Sequence, residues 1–276
     1  MVQLQISQNN RELEHWIVLP QERKYTRPLL LLHGAWHGAW CWQEAASDLS
    51  ERGFEVHAIS LRGHGASSRA TNWRSYQIND YLSDLEQIVL QIEPTPIVVG
   101  HSLGGFVLQH YLQRHKLPGA VLLCAMPAIH MPLNPIRFFL RDPKALLRTL
   151  LTGDTRHFFQ EESAARAAFL RDDSTSEAVQ AIIAQLAPEP IGIFFETIVR
   201  RIKPIQGPQP VLVIAAEADQ LFSVHEQKRL AAWYGSNAKI IAHAGHDLML
   251  DPAWSQAADL IEQQACVWDT ASTAKE

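Results

Sequence analysis

A serine stands at the centre of Gly100-His101-Ser102-Leu103-Gly104, with a glycine two residues to either side. An apolar run, Ile97 to Val99, leads into it, and an amphipathic run through Phe106, Val107, Leu108, Tyr111 and Leu112 leads away. The pattern predicts a strand, a very tight turn and a helix, with Ser102 at the apex. Glycines suit the flanking positions because a side chain there would collide with the neighbouring strand or helix. The helix N-terminus beneath the serine offers free N–H groups and a positive dipole end.

A serine hydroxyl is a weak nucleophile at neutral pH. It needs a base, and the base needs a group that orients it. Val211 to Ile214 runs into Ala215-Ala216-Glu217-Ala218-Asp219-Gln220, and Ala238 to Ala242 runs into His243-Ala244-Gly245-His246-Asp247. Both segments lie beyond the C-terminal ends of strands, where open α/β sheets place their sites. His246 is preferred to His243 because a loop position after Gly245 can swing over the serine. Asp219 is preferred to Glu217 because it lies further past its strand. A tetrahedral intermediate also needs two N–H donors. Leu103, the residue after the nucleophile, supplies one. Ala35, in the loop after the strand Leu29 to Leu32, supplies the other. His33 and His64 read as hydrogen-bonded structural residues, and His101 as packing beneath the serine.

The elements that must position these residues alternate. Strands are expected at Leu4–Ser7, Leu13–Leu19, Leu29–Leu32, Phe54–Ser60, Ile97–Val99, Gly119–Cys124, Val211–Ile214 and Ala238–Ala242. Helices are expected at Trp40–Arg52, Tyr76–Ile92, the run after Ser102, Val224–Tyr234 and Pro252 to about Gln264, with a frayed tail from Thr270. This rhythm implies an α/β class with a parallel sheet covered on both faces. It breaks between Met126 and Gly207, where only helical runs occur: Phe138–Leu151, Ala164–Leu170, Ser176–Leu186 and Ile193–Ile202. Residues 126–207 are therefore expected to be a helical cap inserted into a core made of residues 1–125 and 208–276.

Composition narrows the classes. The 276 residues are 47% hydrophobic and 19% charged, which permits a large core. A net charge of −5 gives no case for nucleic acid. No apolar run reaches membrane-spanning length, and Met1 to Asn10 lacks an apolar signal core. Cys41, Cys124 and Cys266 are odd in number and widely spaced, which predicts reduced thiols, a cytoplasmic location and no metal site.

The chain resembles the α/β-hydrolase superfamily through His33-Gly34, Arg62-Gly63-His64-Gly65, Gly100 to Gly105, Asp219 and Gly245-His246. Within it, His33-Gly34-Ala35-Trp36-His37-Gly38-Ala39-Trp40-Cys41-Trp42 is similar to the start of the plant methylesterase and hydroxynitrile-lyase group. The resemblance implies a mostly parallel sheet with helices on both faces, a triad of Ser102, Asp219 and His246, and oxyanion donors at Ala35 and Leu103. The lyases carry Thr where this chain has Gly34, and Lys where it has Asp247; both departures argue against cyanide release. The Arg62-Gly63-His64-Gly65 loop and the long cap are closer to bacterial esterases and lysophospholipase-like hydrolases. The expected activity is hydrolysis of a small-molecule carboxylic ester with an apolar part, through an acyl-enzyme and without a cofactor. Thioester, lactone or carbon–carbon hydrolysis on the same triad is the alternative, and a non-catalytic small-molecule binding protein a further one. Trp36, with Trp40 and Trp42, could line an apolar pocket or pack on the sheet. Phe138, Phe139 and Leu221 are further pocket candidates. Arg137, Arg141, Lys144 and Arg148 interleave with apolar residues, a pattern that suits weak contact with a lipid surface or a solvated basic face.

Overall fold

Leu29-Leu30-Leu31-Leu32 shows how the sheet is built. Leu30 and Leu32 belong to one hydrophobic cluster and Leu29 and Leu31 to the other. A strand sends successive side chains to opposite faces, so a wholly apolar run is a strand buried on both sides. Val98 parts in the same way from Ile97 and Val99, and Leu122 from Val121 and Leu123. The computed structural model describes residues 2–8, 11–131, 137, 139–205 and 209–273.

The strands are β1 (Val2–Gln8), β2 (Arg11–Val18), β3 (Leu29–Leu32), β4 (Val56–Ile59), β5 (Ile97–His101), β6 (Ala120–Leu123), β7 (Val211–Ala216) and β8 (Lys239–Ile241). They form one sheet in the order β1-β2-β4-β3-β5-β6-β7-β8. The β1–β2 and β2–β4 pairs are antiparallel, and all pairs from β4 through β8 are parallel. The C-terminal ends of β3, β5, β7 and β8 therefore open on one edge.

Two helices, α1 (Gln43–Glu51) and α9 (Trp254–Thr273), contribute to the cluster on one face. On the other lie α2 (Ile78–Val89), α3 (Ser102–Tyr111) and α8 (Val224–Trp233). The α2 stripe of Ile78, Tyr81, Leu82, Leu85, Ile88 and Val89 is buried, as its period of 3.6 requires. The last helix is longer than its sequence suggested. It runs to Thr273 because the apolar stripe continues through Ala265 to Trp268, whose ring covers Gly119 so closely that a Cβ there would lie 2.0 Å from it.

Between β6 and β7 the described residues contain α4 (Pro143–Thr152), α5 (Glu162–Phe169), α6 (Ser176–Ile183) and α7 (Ile191–Val199), and no strand of the sheet. The expectation of one helix over Phe138–Leu151 is corrected: α4 starts at Pro143. Asp142 caps it, accepting from Lys144 N (3.0 Å) and Ala145 N (2.9 Å), and proline suits the first helical position. Phe138 itself lies outside the described residues. No helix among the described residues is long and apolar enough to cross a membrane.

Candidate active site

Strand β5 ends at His101 and α3 begins at Ser102, which holds a left-handed φ of 51°. A non-glycine residue in that region is strained and must be held by its surroundings. The flanking glycines allow it. A Cβ on Gly100 would sit 2.9 Å from the Gly104 carbonyl oxygen, and one on Gly104 only 2.4 Å from that of His33. The β3 loop passes equally close, since a Cβ on Gly34 would meet Ser102 Cβ at 2.8 Å. The next residue, Ala35, and the residue after the serine, Leu103, both have backbone N–H groups with no acceptor among the described residues. Two free donors thus flank the serine.

His246 and Asp219 meet directly. His246 Nδ1 lies 2.8 Å from Asp219 Oδ2, and both side chains are buried. The other carboxylate oxygen, Oδ1, accepts from Leu221 N (2.8 Å) and Phe222 N (3.0 Å). Asp219 is therefore fixed by its own turn before it orients the imidazole. A carboxylate at Nδ1 makes that nitrogen the donor, which leaves the Nε2 lone pair free. Burial pushes the His246 pKa down, but the charge and hydrogen bond of Asp219, with Asp247 nearby, outweigh it and the net shift is upward. Neither Ser102 Oγ nor His246 Nε2 has a hydrogen-bond partner among the described residues. Such contacts commonly tighten only when substrate binds. The alternatives lie elsewhere: His243 is exposed, and its N–H donates to Glu217 Oε2 at 3.0 Å.

Beneath Ser102, Asp219 and His246 lies a second buried layer, of which only His101 was legible in the sequence. His37 bridges the Ala35 carbonyl oxygen (2.8 Å) and Asp247 Oδ2 (2.9 Å), and so links the loop after β3 to the loop after β8. Burial would raise the Asp247 pKa, yet His37, His101 and His246 together hold it below the ordinary value. His101 packs beside the base with ring centroids 4.8 Å apart and its Nε2 3.1 Å from the His246 carbonyl oxygen. Burial, with His246 adjacent, pushes the His101 pKa down to about 3. His101, His246 and Asp247 bring one potential ligand atom each within 4.8 Å of one another. Each residue is already engaged by His246 O, Asp219 or His37, so the cluster is a hydrogen-bonded scaffold. The signal in the sequence was His37 itself, four residues after His33.

The helical segment closes over this layer. Trp36 has a left-handed φ of 64° and is held on both sides of its peptide. Its carbonyl oxygen accepts from Ala187 N (2.7 Å), and its N–H donates to Glu189 Oε2 (3.3 Å). Glu189, fully buried, also takes His64 Nε2 (3.0 Å) and Tyr81 OH (2.5 Å). His64 is placed by Arg62, whose guanidinium is locked on Asp84 and Asp80 of α2. Asp247 N reaches across to the Phe169 carbonyl oxygen (2.8 Å). Ser102 retains only 5% exposure under this cover.

The pocket candidates separate. Trp36 packs among Phe159, Phe169 and Phe194 of the helical segment. Trp42 joins the core on the opposite face of the sheet, near Trp254, so the three tryptophans do not share one pocket. Phe139 is half-buried against Phe158 and Phe194. Leu221 is buried beside the acid, where its backbone matters more than its side chain.

A family model described as the alpha/beta hydrolase family matches residues 29–258. A putative chloroplastic methylesterase 15 of Arabidopsis thaliana is 32% identical over 39% of this chain and 25% of its own length. Norfluorocurarine synthase 1 of Strychnos nux-vomica is 31% identical over 40% of this chain and 43% of its own. The chain thus spans less than half the length of these relatives. Among solved structures, the esterase RhEst1 from Rhodococcus sp. superposes with a TM-score of 0.73 at 18% identity, covering 96% of this chain and 99% of that one. A thermophilic esterase from Thermogutta terrifontis gives 0.72 at 16% identity, covering 97% and 98%.

Proposed function

Because the chain belongs to the alpha/beta hydrolase family, we propose that it is a serine hydrolase that cleaves small carboxylic esters with an apolar part through an acyl-enzyme. The observation that carries the reading is the buried 2.8 Å His246–Asp219 pair, set beside a serine at a left-handed apex. His246 Nε2 takes the Ser102 proton as Oγ attacks the carbonyl carbon. The Ala35 and Leu103 N–H groups receive the oxyanion, where donors of this kind contribute most because they are fixed before charge develops. His246, now protonated and held by Asp219, returns the proton to the leaving alcohol. Water then enters by the same route and releases the acid. Trp36, with Phe139 further out, forms the aromatic cover for the apolar part. In this reading residues 126–207 are the cap of a core made of 1–125 and 208–276, and the unpaired thiols of Cys41, Cys124 and Cys266 fit a cytoplasmic setting.

The test is turnover of a short p-nitrophenyl ester series. Ser102→Ala should lose about a million-fold in kcat, which brings it to background. A variant that keeps its turnover contradicts the mechanism.

A further inference from the structure

Most of the exposed apolar surface lies in one place. Eleven large apolar side chains are exposed among the described residues, and six of them belong to α4, to α7 or to the stretch just before α4. Leu151 and Val199 are 77% and 76% exposed, and Leu140, Leu147, Leu150 and Phe195 are each more than half exposed. Leu140, Leu150 and Phe195 rim a single cleft between α4 and α7, with a volume of about 160 Å³ and a lining that is apolar except for Thr149 and Thr155. That is smaller than the roughly 300–1,000 Å³ of a small-molecule site. Its inner wall is Thr155, Phe158 and Phe194. Phe194 stacks on Trp36 at 5.2 Å between ring centroids, and Thr155 Oγ1 accepts from Trp36 Nε1 at 2.7 Å. One indole therefore separates the cleft from the oxyanion loop.

Positive charge gathers on the same face. Arg137, Arg141, Lys144 and Arg148 are exposed around it, and the acids of the two helices are engaged: Asp142 caps α4, and Glu196 of α7 pairs with Arg200. None of these four cations meets a carboxylate among the described residues; Arg148 reaches only Gln160 Oε1 at 3.5 Å. Elsewhere Arg23, Arg52, Arg62, Arg156, Arg166 and Arg171 are ion-paired, and Arg69, Arg74 and Arg201 donate to backbone carbonyls. A chain of net charge −5 thus keeps unpaired positive charge beside exposed leucines. Apolar residues that enter the acyl boundary, with cations at headgroup level, form the pattern of an interfacial helix.

We propose that the α4–α7 face seats the protein on an anionic lipid surface, and that the cleft takes one lipid chain from it. The docking stands independently of the ester-hydrolase reading; only the fate of the chain rests on that reading. The probe is phosphatidylglycerol-containing vesicles, with pure phosphatidylcholine vesicles as the comparison, read by co-sedimentation. The protein should sediment with the anionic vesicles at low salt, much less with the neutral ones, and be released by high salt. Arg141→Gln and Lys144→Gln should each weaken partitioning about fivefold. Leu147→Asp and Leu151→Asp should each weaken it about tenfold or more. All four variants should keep wild-type turnover of a water-soluble short ester, which reports an intact fold. Failure of wild type to turn over any ester would remove the hydrolase reading and leave the vesicle result standing. No sedimentation with anionic vesicles at low salt overturns the proposal, as does sedimentation that survives Leu147→Asp with Leu151→Asp. A dimer in solution that the same two substitutions abolish also overturns it, because a second copy would then cover this face.

Discussion

Asp219→Asn is the most informative single substitution, because the turn around it dictates how the new amide must lie. Asp219 Oδ1 accepts two backbone N–H groups, from Leu221 and Phe222. An asparagine must put its carbonyl oxygen there. The reverse orientation would aim an NH₂ at two donors and leave both buried and unpaired, at about 1–3 kcal/mol each. The NH₂ is therefore forced toward His246 Nδ1, where Asp219 Oδ2 lies 2.8 Å away in the wild type. A donor facing Nδ1 requires that nitrogen to accept. The ring proton then sits on Nε2, the atom that should take the serine proton. Loss of the base by tautomer reversal costs about 10,000-fold in kcat, or about 5.5 kcal/mol of barrier. The charge-assisted bond becomes a neutral one, so stability should fall by only about 1–2 kcal/mol. The pH profile gives a second readout. The base must be neutral, so wild-type kcat/KM should rise with pH through the His246 pKa, which lies above the usual 6.5. Removing the Asp219 charge removes an upward influence, so the acid limb of the residual activity should move to lower pH. The assay is kcat/KM for a soluble ester across pH, with thermal unfolding of the same samples. Activity within about tenfold of wild type, or an acid limb that does not move, would refute the reasoning.

Three further outcomes are expected. Gly34→Ala places a Cβ 2.8 Å from Ser102 Cβ; it should cost about 1–3 kcal/mol of stability and lower kcat about 10–100-fold by displacing the nucleophile, and an unchanged kcat would contradict the proximity of the Ala35 loop to the serine. Glu189→Ala removes the shared partner of Trp36 N–H, His64 and Tyr81 OH; it should cost about 3–5 kcal/mol and lower kcat with little change in KM, Glu189→Gln should fall between, and a loss of stability at constant kcat would mean that Glu189 only ties the helical segment down. Burial first of all pushes the pKa values of His15, His101 and His110 down to about 3. Between that value and the unfolded-state value of about 6.5 the unfolded chain binds more protons, so stability should rise with pH across this window. His246, raised, contributes in the opposite sense: its stabilisation is full below about 6.5 and is lost as pH rises through its folded pKa. Melting temperatures at pH 4, 5, 6 and 7 check the balance, and a flat profile would contradict it.

Much of this arrangement was legible in the sequence because local rules and long-range packing agree there. The strands β3, β6 and β7 are short apolar runs bounded by turn residues, and each is apolar throughout because both of its faces are buried. The serine, its flanking glycines and the two strand ends that bring Asp219 and His246 together follow from the same pattern. The placing of Ala35 and Leu103 followed from where a helix N-terminus and a neighbouring loop must lie. Contacts with no local signature were not legible. His37 carries no local sign of its role, yet its Nε2 reaches a loop more than two hundred residues away. Glu189 stands between two prolines with no local sign of a role, and only the folded chain makes it the partner of Trp36, His64 and Tyr81. Trp36 and Trp42 are six residues apart on a chain that crosses the sheet edge between them, so composition alone could not separate their fates. The break before α4 depended on a cap and a proline: residues 139 and 140 are helical, and the run is interrupted at Arg141 and Asp142.

The central claim, that Ser102 is the nucleophile of this triad, is tested most directly by labelling with a fluorophosphonate probe and locating the adduct by peptide mass spectrometry. One covalent adduct is expected on Ser102, lost in Ser102→Ala and strongly slowed in His246→Ala, with labelling and esterase turnover declining together. An adduct on another serine, or full ester turnover while Ser102 stays unmodified, would contradict it.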